Sequence, residues 1–323
     1  MKIALYISTF NRANYVSKMA KSLSLANDFD KIDIKIFDDA SNEFEIEFLQ
    51  NILPSAKIHR NAENMRADKN LALMYLDFLC QDYDVFMAAD SDLIFSPNFL
   101  AKIKEFLPKT KGALSIYNSN LHPFIKESTN SNLDLGLKDH IGSAGSVFTR
   151  EIVEKLILHI SNQHENLISQ QDLDNIRGGG GQNTLCILPA DVGKLEIFNR
   201  IKNAFLDNVN ALDWQFSAFF KKANIELFCT KESFVQHIGI LGQNNGGWLY
   251  YFDFGLNFMP IHLVNQKIMM EFTHELIYEN ARVIEKSRLF RFKTKLKNRA
   301  KATKHNLKKL LLSTNAKLSL LNK

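Results

Sequence analysis

Two aspartates one residue apart interrupt an apolar segment of this sequence. The segment, residues 85–95, reads VFMAADSDLIF, and its two acids are Asp90 and Asp92. Placing two carboxylates together in apolar surroundings costs desolvation free energy and adds mutual repulsion. A divalent cation would compensate their charge, because Mg²⁺ and Mn²⁺ accept carboxylate ligands. An Asp-rich turn that caps a helix after Pro97 explains the same residues, and these positions alone do not decide between the two.

Polar side chains also follow the first two strands that the sequence predicts. Residues 2–8 and 32–38 have the apolar character of strands, and Tyr15, Met19 and Leu23 recur between them at helical spacing. This order predicts a βαβ unit, the building block of a parallel sheet. Open α/β folds bind ligands at the carboxyl edge of such a sheet, so the polar turns are expected to face a ligand.

The first of these turns lacks the glycines of a phosphate-binding loop. Its sequence, STFNRANY, offers the polar groups of Thr9, Asn11 and Arg12 instead, which suits a nucleoside better than a diphosphate. Asp39, after the second strand, can accept a hydrogen bond from a base N–H or a ribose hydroxyl. The diphosphate of a nucleotide then needs another partner, and a metal held by Asp92 is the natural candidate.

Four motifs within about the first 100 residues resemble the donor-binding half of GT-A fold glycosyltransferases, in particular the inverting enzymes of family 2. They read STFNR, FDDAS, NAENMRADKN and AADSD. The resemblance implies that Asp39 contacts the base, that Asp90 supports the ribose, and that Asp92 ligates Mn²⁺ or Mg²⁺. The third motif departs from the commoner glycine-rich version. Arg66 and Asn70 in it are candidates for diphosphate or base contacts, and a solvated helix start is the alternative.

This resemblance implies an α/β fold of the GT-A type, a Rossmann-like mixed sheet flanked by helices, with a C-terminal helical extension. We expect a catalytic domain over residues 1–262, with a nucleotide-binding half (1–100) and an acceptor half (101–262), followed by a basic extension (263–323). Further expected elements are helices at 67–80 and 98–107, strands at 84–89 and 112–117, and loops at 119–140 and 161–184, the latter with Gly178–Gly181 as a flexible segment.

An inverting transfer also needs a carboxylate that removes the proton of the acceptor hydroxyl. Asp213 stands at the start of a predicted apolar helix that contains Trp214, and we expect it to be this base. A helix N-cap is the alternative role for a single carboxylate there. Asp191 is the next candidate for the base, and Asp207 is a weaker one.

Three other positions are candidates for the second half of the site. His237 begins a His-Ile-Gly sequence, and many GT-A enzymes bring a late histidine in such a setting back to the metal; a purely structural histidine is the alternative. Gly145 lies in a run of small residues that would admit a sugar close to the backbone, or would form a tight turn. Trp248 is expected to stack on a sugar ring, with core packing as its alternative.

The charge distribution divides the chain. Residues 282–323 carry 14 Lys or Arg and one acid, Glu285, whereas residues 1–281 carry 26 basic and 34 acidic side chains. The tail reads as an amphipathic basic helix, which predicts binding to an anionic membrane surface; no RNA-binding motif favours nucleic acid.

Three scattered cysteines argue against disulfides and structural zinc. We therefore expect a cytoplasmic protein, peripheral at the cytoplasmic membrane face.

Together these features predict a metal-dependent, inverting glycosyltransferase with a UDP-linked donor and a glycan or lipid-linked glycan acceptor. A composition rich in Lys, Asn, Ile and Phe suggests a bacterial source and polysaccharide biosynthesis. The alternatives are a retaining GT-A enzyme, a sugar nucleotidyltransferase, and a catalytically silent nucleotide- or glycan-binding scaffold. A nucleotidyltransferase should carry a glycine-rich loop after the first strand, and STFNRANY contains no glycine.

Overall fold

The computed structural model describes residues 1–119, 121–127, 134–165, 167–180 and 191–239, together with Gly255, Leu256 and Phe258. These residues belong to one compact unit, Met1–Gly239 with Asp253–Met270. The second unit, Ile240–Phe252 with Glu271–Lys323, lies outside the described residues, as does the domain boundary predicted at residue 262.

Strands and helices alternate along the first half of the chain. The strands are β1 (Ile3–Thr9), β2 (Asp33–Asp38), β3 (Lys57–Arg60), β4 (Val85–Asp90), β5 (Leu93–Phe95), β6 (Ala113–Ser115), β7 (Lys126–Glu127), β8 (Leu135–Lys138), β9 (Ser146–Thr149), β10 (Leu227–Thr230) and β11 (Val235–His237). The helices are α1 (Ala13–Ser24), α2 (Ile46–Ile52), α3 (Ala67–Cys80), α4 (Phe99–Phe106), α5 (Arg150–Ser161), α6 (Gln170–Ile176), α7 (Val192–Asn208) and α8 (Leu212–Lys222).

Nine of these strands form one mixed sheet in the order β3-β2-β1-β4-β9-β6-β10-β8-β7. The strands β3, β2, β1 and β4 are parallel, and β9 runs antiparallel between β4 and β6. The chain moves outward from β1 to β3 and then returns to place β4 on the other side of β1. This reversal creates a topological switch point between β1 and β4, and ligands bind at such points in open α/β sheets.

Helices cover both faces of the sheet because side chains alternate along its strands. In β1, Ala4 and Tyr6 belong to the core layer under α3, α5, α7 and α8. Ile3, Leu5 and Ile7 belong to the opposite layer under α1, α2 and α4. A strand buried on both sides reads as a continuous apolar run, which is what the sequence shows there. The predicted α/β class, with a mixed sheet flanked by helices, is confirmed.

Two segments expected to be loops contain regular structure. The short strands β7 and β8 lie within 119–140 and extend the sheet through β10. The helix α6 lies within 161–184 and begins with a capping box, in which Ser169 and Asp172 exchange side-chain and backbone hydrogen bonds. The polar composition of these two segments gave no sign of their strands and helix, because strands at a sheet edge and exposed helices need few apolar residues. Gly178 ends this region with φ +68°, and Gly181 is outside the described residues.

Among the described residues, no helix combines the length and apolar character needed to cross a bilayer.

Candidate active site

The carboxyl ends of β1, β2 and β4 bring three polar turns together. Thr9 pairs with Asp38 in the parallel register, and Ser8 pairs with Asp90. The turn after β1 places Asn11 and Arg12 at positive φ, 55° and 63°. Hydrogen bonds to the turn after β2 stabilise this conformation. The Asn11 side-chain oxygen accepts them from the backbone N–H groups of residues 42 and 43, at 2.9 and 3.1 Å. Asn11 therefore stabilises the turn that presents Arg12.

Asp39 is almost fully buried, with 3% of its surface exposed, and acts as a local anchor. Its carboxylate accepts hydrogen bonds from the Asn61 side-chain amide at 2.9 Å and from the backbone N–H groups of Met65 and Arg66 at 2.7 and 2.9 Å. These bonds fix the entry into α3. A carboxylate offers about four acceptor positions, so three donors leave one for an incoming group.

Asn70 and Arg66 occupy different environments. Asn70 is fully buried, and its amide donates to Ser8 Oγ at 2.8 Å and to the Phe37 carbonyl at 3.0 Å. It therefore joins α3 to β1 and β2 from inside. Arg66 stands just before α3 with φ +70°, and its side chain is exposed at the same edge. Of the two, Arg66 is the one whose side chain faces solvent.

Arg12, Asp92 and His237 meet in one cluster. Asp92 Oδ2 lies 2.8 Å from Arg12 Nη1 and 3.1 Å from His237 Nε2. Its second oxygen, Oδ1, is buried and has no hydrogen-bond partner among the described residues. A buried carboxylate oxygen without a partner is costly, because its desolvation is not repaid.

A small second sheet brings His237 to this cluster. The strand β11 pairs antiparallel with β5, with His237 opposite Leu93, and the Ile238 N–H donates to the Asp92 carbonyl at 2.8 Å. Gly239 then passes directly beside the carboxylate. A Cβ atom at Gly239 would lie 2.0 Å from Asp92 Oδ2 and 3.0 Å from Arg12 Nη1. Only glycine leaves room for the backbone in this position.

Asp90 and Asp92 titrate in opposite directions although one residue separates them. Burial raises the pKa of Asp92, but the attraction of His237 and Arg12 outweighs it and lowers that pKa to about 2. Burial and the neighbouring charge of Asp92 raise the pKa of Asp90 to about 6. Asp92 is thus the more acidic carboxyl group of the two, and Asp90 binds a proton more readily.

Asp213 lies in the first turn of α8, and its carboxylate is influenced by the charges of Asp90 and Asp68. The turn before it is unusual, with Ala211 at φ +50°, and the Leu212 N–H donates to Asp68 Oδ1 at 2.9 Å. Burial, together with the charges of Asp90 and Asp68, raises the pKa of Asp213 to about 7. The backbone of Ser143 partly offsets this rise through a hydrogen bond to the carboxylate. A carboxylate with this pKa is suited to general base catalysis at neutral pH.

The other candidate bases have surface positions. Asp191 is the exposed N-cap of α7, and its side chain accepts a hydrogen bond from the Lys194 N–H at 3.2 Å. Asp207 is exposed near the end of the same helix. The acid that the fold brings beside Asp90 is Asp213.

Gly145 is buried inside the sheet. It has φ +69°, and a Cβ atom there would lie 2.9 Å from Val235 Cγ2 and 3.1 Å from Tyr117 Cβ. Its N–H donates to the Ala88 carbonyl and its carbonyl accepts from the Ile116 N–H, both at 3.0 Å. The glycine is therefore needed for close packing against Tyr117 and against Val235 of β11. Trp248 lies outside the described residues, so its predicted sugar contact stays a prediction.

Several residues at the site gave no signal in the sequence. Ser143 reaches Asp213 through its backbone, which no side-chain pattern reveals. His140 and His122 lie in a segment read as a polar loop, and their rings pack together at 4.6 Å. Trp214 was assigned to an apolar helix, but 68% of its surface is exposed, whereas Phe216, Phe219 and Phe220 of the same helix are buried.

No group of three or more His, Cys, Asp or Glu side chains in the described residues is arranged to hold a metal ion by itself. This is compatible with a cation shared with a substrate, since Mg²⁺ is commonly held by one or two carboxylates together with substrate phosphates. The buried Oδ1 of Asp92 and the tight passage of Gly239 are the features here that fit such a cation.

No protein-family model matches the sequence, and no curated protein matches it. Solved structures of low similarity include Staphylococcus aureus TarS 1–349 in complex with UDP, at 16% identity and a TM-score of 0.36, covering 54% of each chain. A second structure of Staphylococcus aureus TarS is 15% identical with a TM-score of 0.36, and the match covers 55% of this chain and 33% of the TarS chain. The mannosyltransferase PcManGT from Pyrobaculum calidifontis, in complex with GDP-Man and Mn²⁺, is 14% identical with a TM-score of 0.36. The match covers 69% of this chain and 75% of the PcManGT chain. The chain thus spans about half and one third of the two TarS chains.

Proposed function

We propose that this chain is a glycosyltransferase that moves a sugar from a UDP-linked donor to a hydroxyl group of a glycan or lipid-linked glycan. The observation that carries the proposal is the convergence of charged groups at the β1–β4 switch point. Arg12, Asp92 and His237 are in direct contact there, and Asp90 interacts with Asp213. This arrangement supports the proposal of a diphosphate-binding region and a base, which a transfer reaction requires.

The nucleoside is assigned to the edge of β1 and β2. Asp39 retains one acceptor position for a base N–H after its three hydrogen bonds. The Thr9 hydroxyl is buried beside it and makes no hydrogen bond within the described residues. Polar groups of a ligand could form hydrogen bonds with the Asp39 carboxylate and the Thr9 hydroxyl, which supports the proposed roles of these two residues in nucleotide binding.

The diphosphate is assigned to the cluster around Asp92. We infer that Asp92 and His237 hold Mn²⁺ or Mg²⁺, with Asp92 Oδ1 as the acceptor position that no other group occupies. The cation, when bound, offsets the negative charge of the leaving diphosphate. Arg12 and Arg66 add positive charge at the same edge, and Asp90 supports the ribose.

Asp213 is the proposed general base. Its carboxylate removes the proton of the acceptor hydroxyl while that oxygen forms a bond to the anomeric carbon. The bond from the anomeric carbon to the diphosphate oxygen breaks in the same step, the nucleoside diphosphate leaves, and the configuration inverts. The raised pKa of Asp213, about 7, places its proton affinity in the range that favours this role near neutral pH.

Nucleotide binding tests the donor half of this proposal. Melting temperatures of the wild-type protein are measured with UDP, GDP and their sugar conjugates, each with and without Mn²⁺. A ligand at a hundredfold excess over its dissociation constant stabilises the native state by about 2.7 kcal/mol, so the correct donor should raise the melting temperature by several degrees. Asp92→Asn removes the charge that attracts the cation and should abolish the Mn²⁺-dependent part of this shift.

The matched control is Asp191→Asn, which changes an exposed acid away from the sheet edge and should leave the shift intact. An unchanged Mn²⁺-dependent affinity in Asp92→Asn would contradict the assigned metal site. Nucleotide binding without any sugar transfer or donor hydrolysis would instead favour a silent binding scaffold.

A further inference from the structure

Trp214 is the most exposed large apolar side chain among the described residues, with 68% of its surface accessible. Its indole ring is held on one side by His140, with ring centroids 4.7 Å apart and planes inclined by 35°. The large exposed fraction means that the opposite side of the indole faces solvent. Leaving such a surface in water forgoes the free energy of its burial, so a ligand that covers it would gain stabilisation.

The ring that supports Trp214 is itself fixed in place. His140 Nδ1 lies 2.5 Å from Ser217 Oγ, and the same hydroxyl donates to the Asp213 carbonyl at 3.2 Å. The His140 ring also packs against the His122 ring, with centroids 4.6 Å apart. Burial and the nearby His122 lower the pKa of His140, which keeps the ring neutral at neutral pH and removes charge repulsion from the stack. The three rings therefore form a preorganised surface that loses little entropy when a ligand binds.

This surface adjoins the proposed base. His122, His140 and Gly142 line a small cavity together with Ser119 and Lys138. A Cβ atom at Gly142 would lie 3.9 Å from Asp213 Oδ2, so the wall of the cavity is in contact with the carboxylate. Trp214 directly follows Asp213 in α8. The stack and the cavity therefore lie next to the segment that carries the proposed base.

We propose that Trp214, His140 and His122 form the binding platform for the acceptor saccharide. A pyranose ring presents C–H groups on its face, whose partial positive charge complements the negative face of the indole, and hydroxyl groups at its edge. Stacking on Trp214 directs an edge hydroxyl toward Asp213, while His140 is a positioning residue that holds the indole. The inference rests on the proposed sugar transfer, because that proposal makes Asp213 the base.

Tryptophan fluorescence provides a direct test. The chain contains two tryptophans, so the difference in emission between the wild type and Trp214→Phe reports on Trp214 while Trp248 stays in place. Both proteins are titrated with cellobiose, chitobiose, maltose and lactose. At least one disaccharide should change the Trp214 emission in a saturable way, and His140→Ala should lower the fluorescence anisotropy of Trp214 because the ring loses its support. No saturable change with any of the four sugars, up to 50 mM, would overturn the platform.

Affinity measurements on variants give the second arm. Trp214→Ala should weaken binding of the responding disaccharide at least tenfold, whereas Trp214→Phe keeps an aromatic face and should stay within about threefold. Val192→Ala, which shortens another exposed apolar side chain, should have no effect. Undiminished saccharide affinity in Trp214→Ala would refute the proposal.

UDP and GDP titrations with Mn²⁺ on the same samples separate the two proposals. Nucleotide affinity should not change in Trp214→Ala. Saccharide binding at Trp214 without any nucleotide binding would reject the glycosyltransferase and keep the saccharide platform. Nucleotide binding and transfer that do not depend on Trp214 would reject the platform alone.

Discussion

At the scale of single residues, the environment rather than the residue type separates the roles of the three aspartates. Asp92 contacts two cationic or potentially cationic groups, so its pKa falls to about 2. Asp90 and Asp213 are half-buried, and desolvation together with neighbouring like charges raises their pKa values to about 6 and about 7. Carboxylates whose pKa values are driven apart in one site are suited to different tasks, one binding a cation and another exchanging a proton.

Asp213→Asn should retain donor binding and lose transfer, because the amide cannot accept the proton of the acceptor. We expect the turnover number to fall by about two to four orders of magnitude, the usual contribution of general base catalysis. The measurement is sugar transfer at saturating donor, with Mn²⁺-dependent nucleotide affinity followed in parallel. Asp191→Asn and Asp207→Asn are the controls, and loss of transfer in either one would move the base to that position.

Asp213→Asn should also change how the free energy of unfolding depends on pH. The pKa of Asp213 is raised from 3.8 to about 7 in the folded protein, so the unfolded chain ionises first and folding stability falls as pH rises through this window. Asparagine cannot ionise. Asp213→Asn should therefore be more stable than the wild type at pH 8, by on the order of 1–3 kcal/mol, and the difference should shrink toward pH 4. Urea unfolding at both pH values measures it, and a constant difference would contradict the raised pKa.

At the scale of secondary-structure elements, a buried polar network joins the strands that carry the site to α3. Lys35 of β2 and Tyr6 of β1 both contact Asp77 of α3, at 2.5 and 2.7 Å. All three side chains are buried. The network lies between the parallel strands and the helix α3 that covers them. An unpaired charge there has no access to water.

Asp77→Ala should therefore be strongly destabilising, since it leaves the Lys35 ammonium buried without its carboxylate. We expect a loss of about 3–5 kcal/mol in the free energy of unfolding. Tyr6→Phe removes one hydrogen bond and should cost only about 0.5–1.5 kcal/mol. Chemical denaturation gives both values.

The matched control for Asp77 is Asp82→Ala, which breaks two exposed ion pairs, one with Lys2 and one with Arg177. An exposed pair contributes about 0–1 kcal/mol, so this variant should resemble the wild type. A cost for Asp77→Ala no larger than that of Asp82→Ala would mean that the network does not support the sheet.

At the scale of the whole molecule, the basic C-terminal tail is proposed to hold the protein at an anionic membrane surface. Residues 282–323 carry 14 basic side chains against one acid, and apolar residues recur between them at helical spacing. The recurring positions are Leu289, Phe292, Leu296, Ala300, Thr303, Leu307 and Leu310. Each basic residue near an anionic surface contributes about 1 kcal/mol, so several together would keep a lipid-linked acceptor within reach.

Deleting residues 285–323 should release the protein from anionic vesicles. Cosedimentation with vesicles of phosphatidylglycerol and phosphatidylcholine measures binding, and vesicles of phosphatidylcholine alone are the control. Binding of the full chain should weaken as salt rises, because the attraction is electrostatic. Transfer to a soluble acceptor should survive the deletion. Continued binding of the truncated chain to anionic vesicles would locate the membrane contact elsewhere.

The sequence alone determined the first half of the molecule well. The helix at 67–80 matches α3, and the strands at 2–8, 32–38 and 84–89 match β1, β2 and β4 within about one residue. The strands β1 and β4 are readable there because they are buried on both faces and therefore appear as continuous apolar runs. The polar turns after β1, β2 and β4 could be placed at one sheet edge, since parallel strands end on the same side.

Only the tertiary structure decided which of these groups touch. The ion pair of Arg12 with Asp92 depends on the parallel pairing of β1 with β4. The approach of His237 depends on the pairing of β5 with β11, which are about 140 residues apart in the chain. The raised pKa of Asp213 depends on burial beside Asp90, and the stack of Trp214 on His140 joins α8 to a segment with no readable pattern. Residue types and local spacing are written in the sequence, but burial, charge proximity and ring contacts arise from long-range packing, and these set the chemistry of the site.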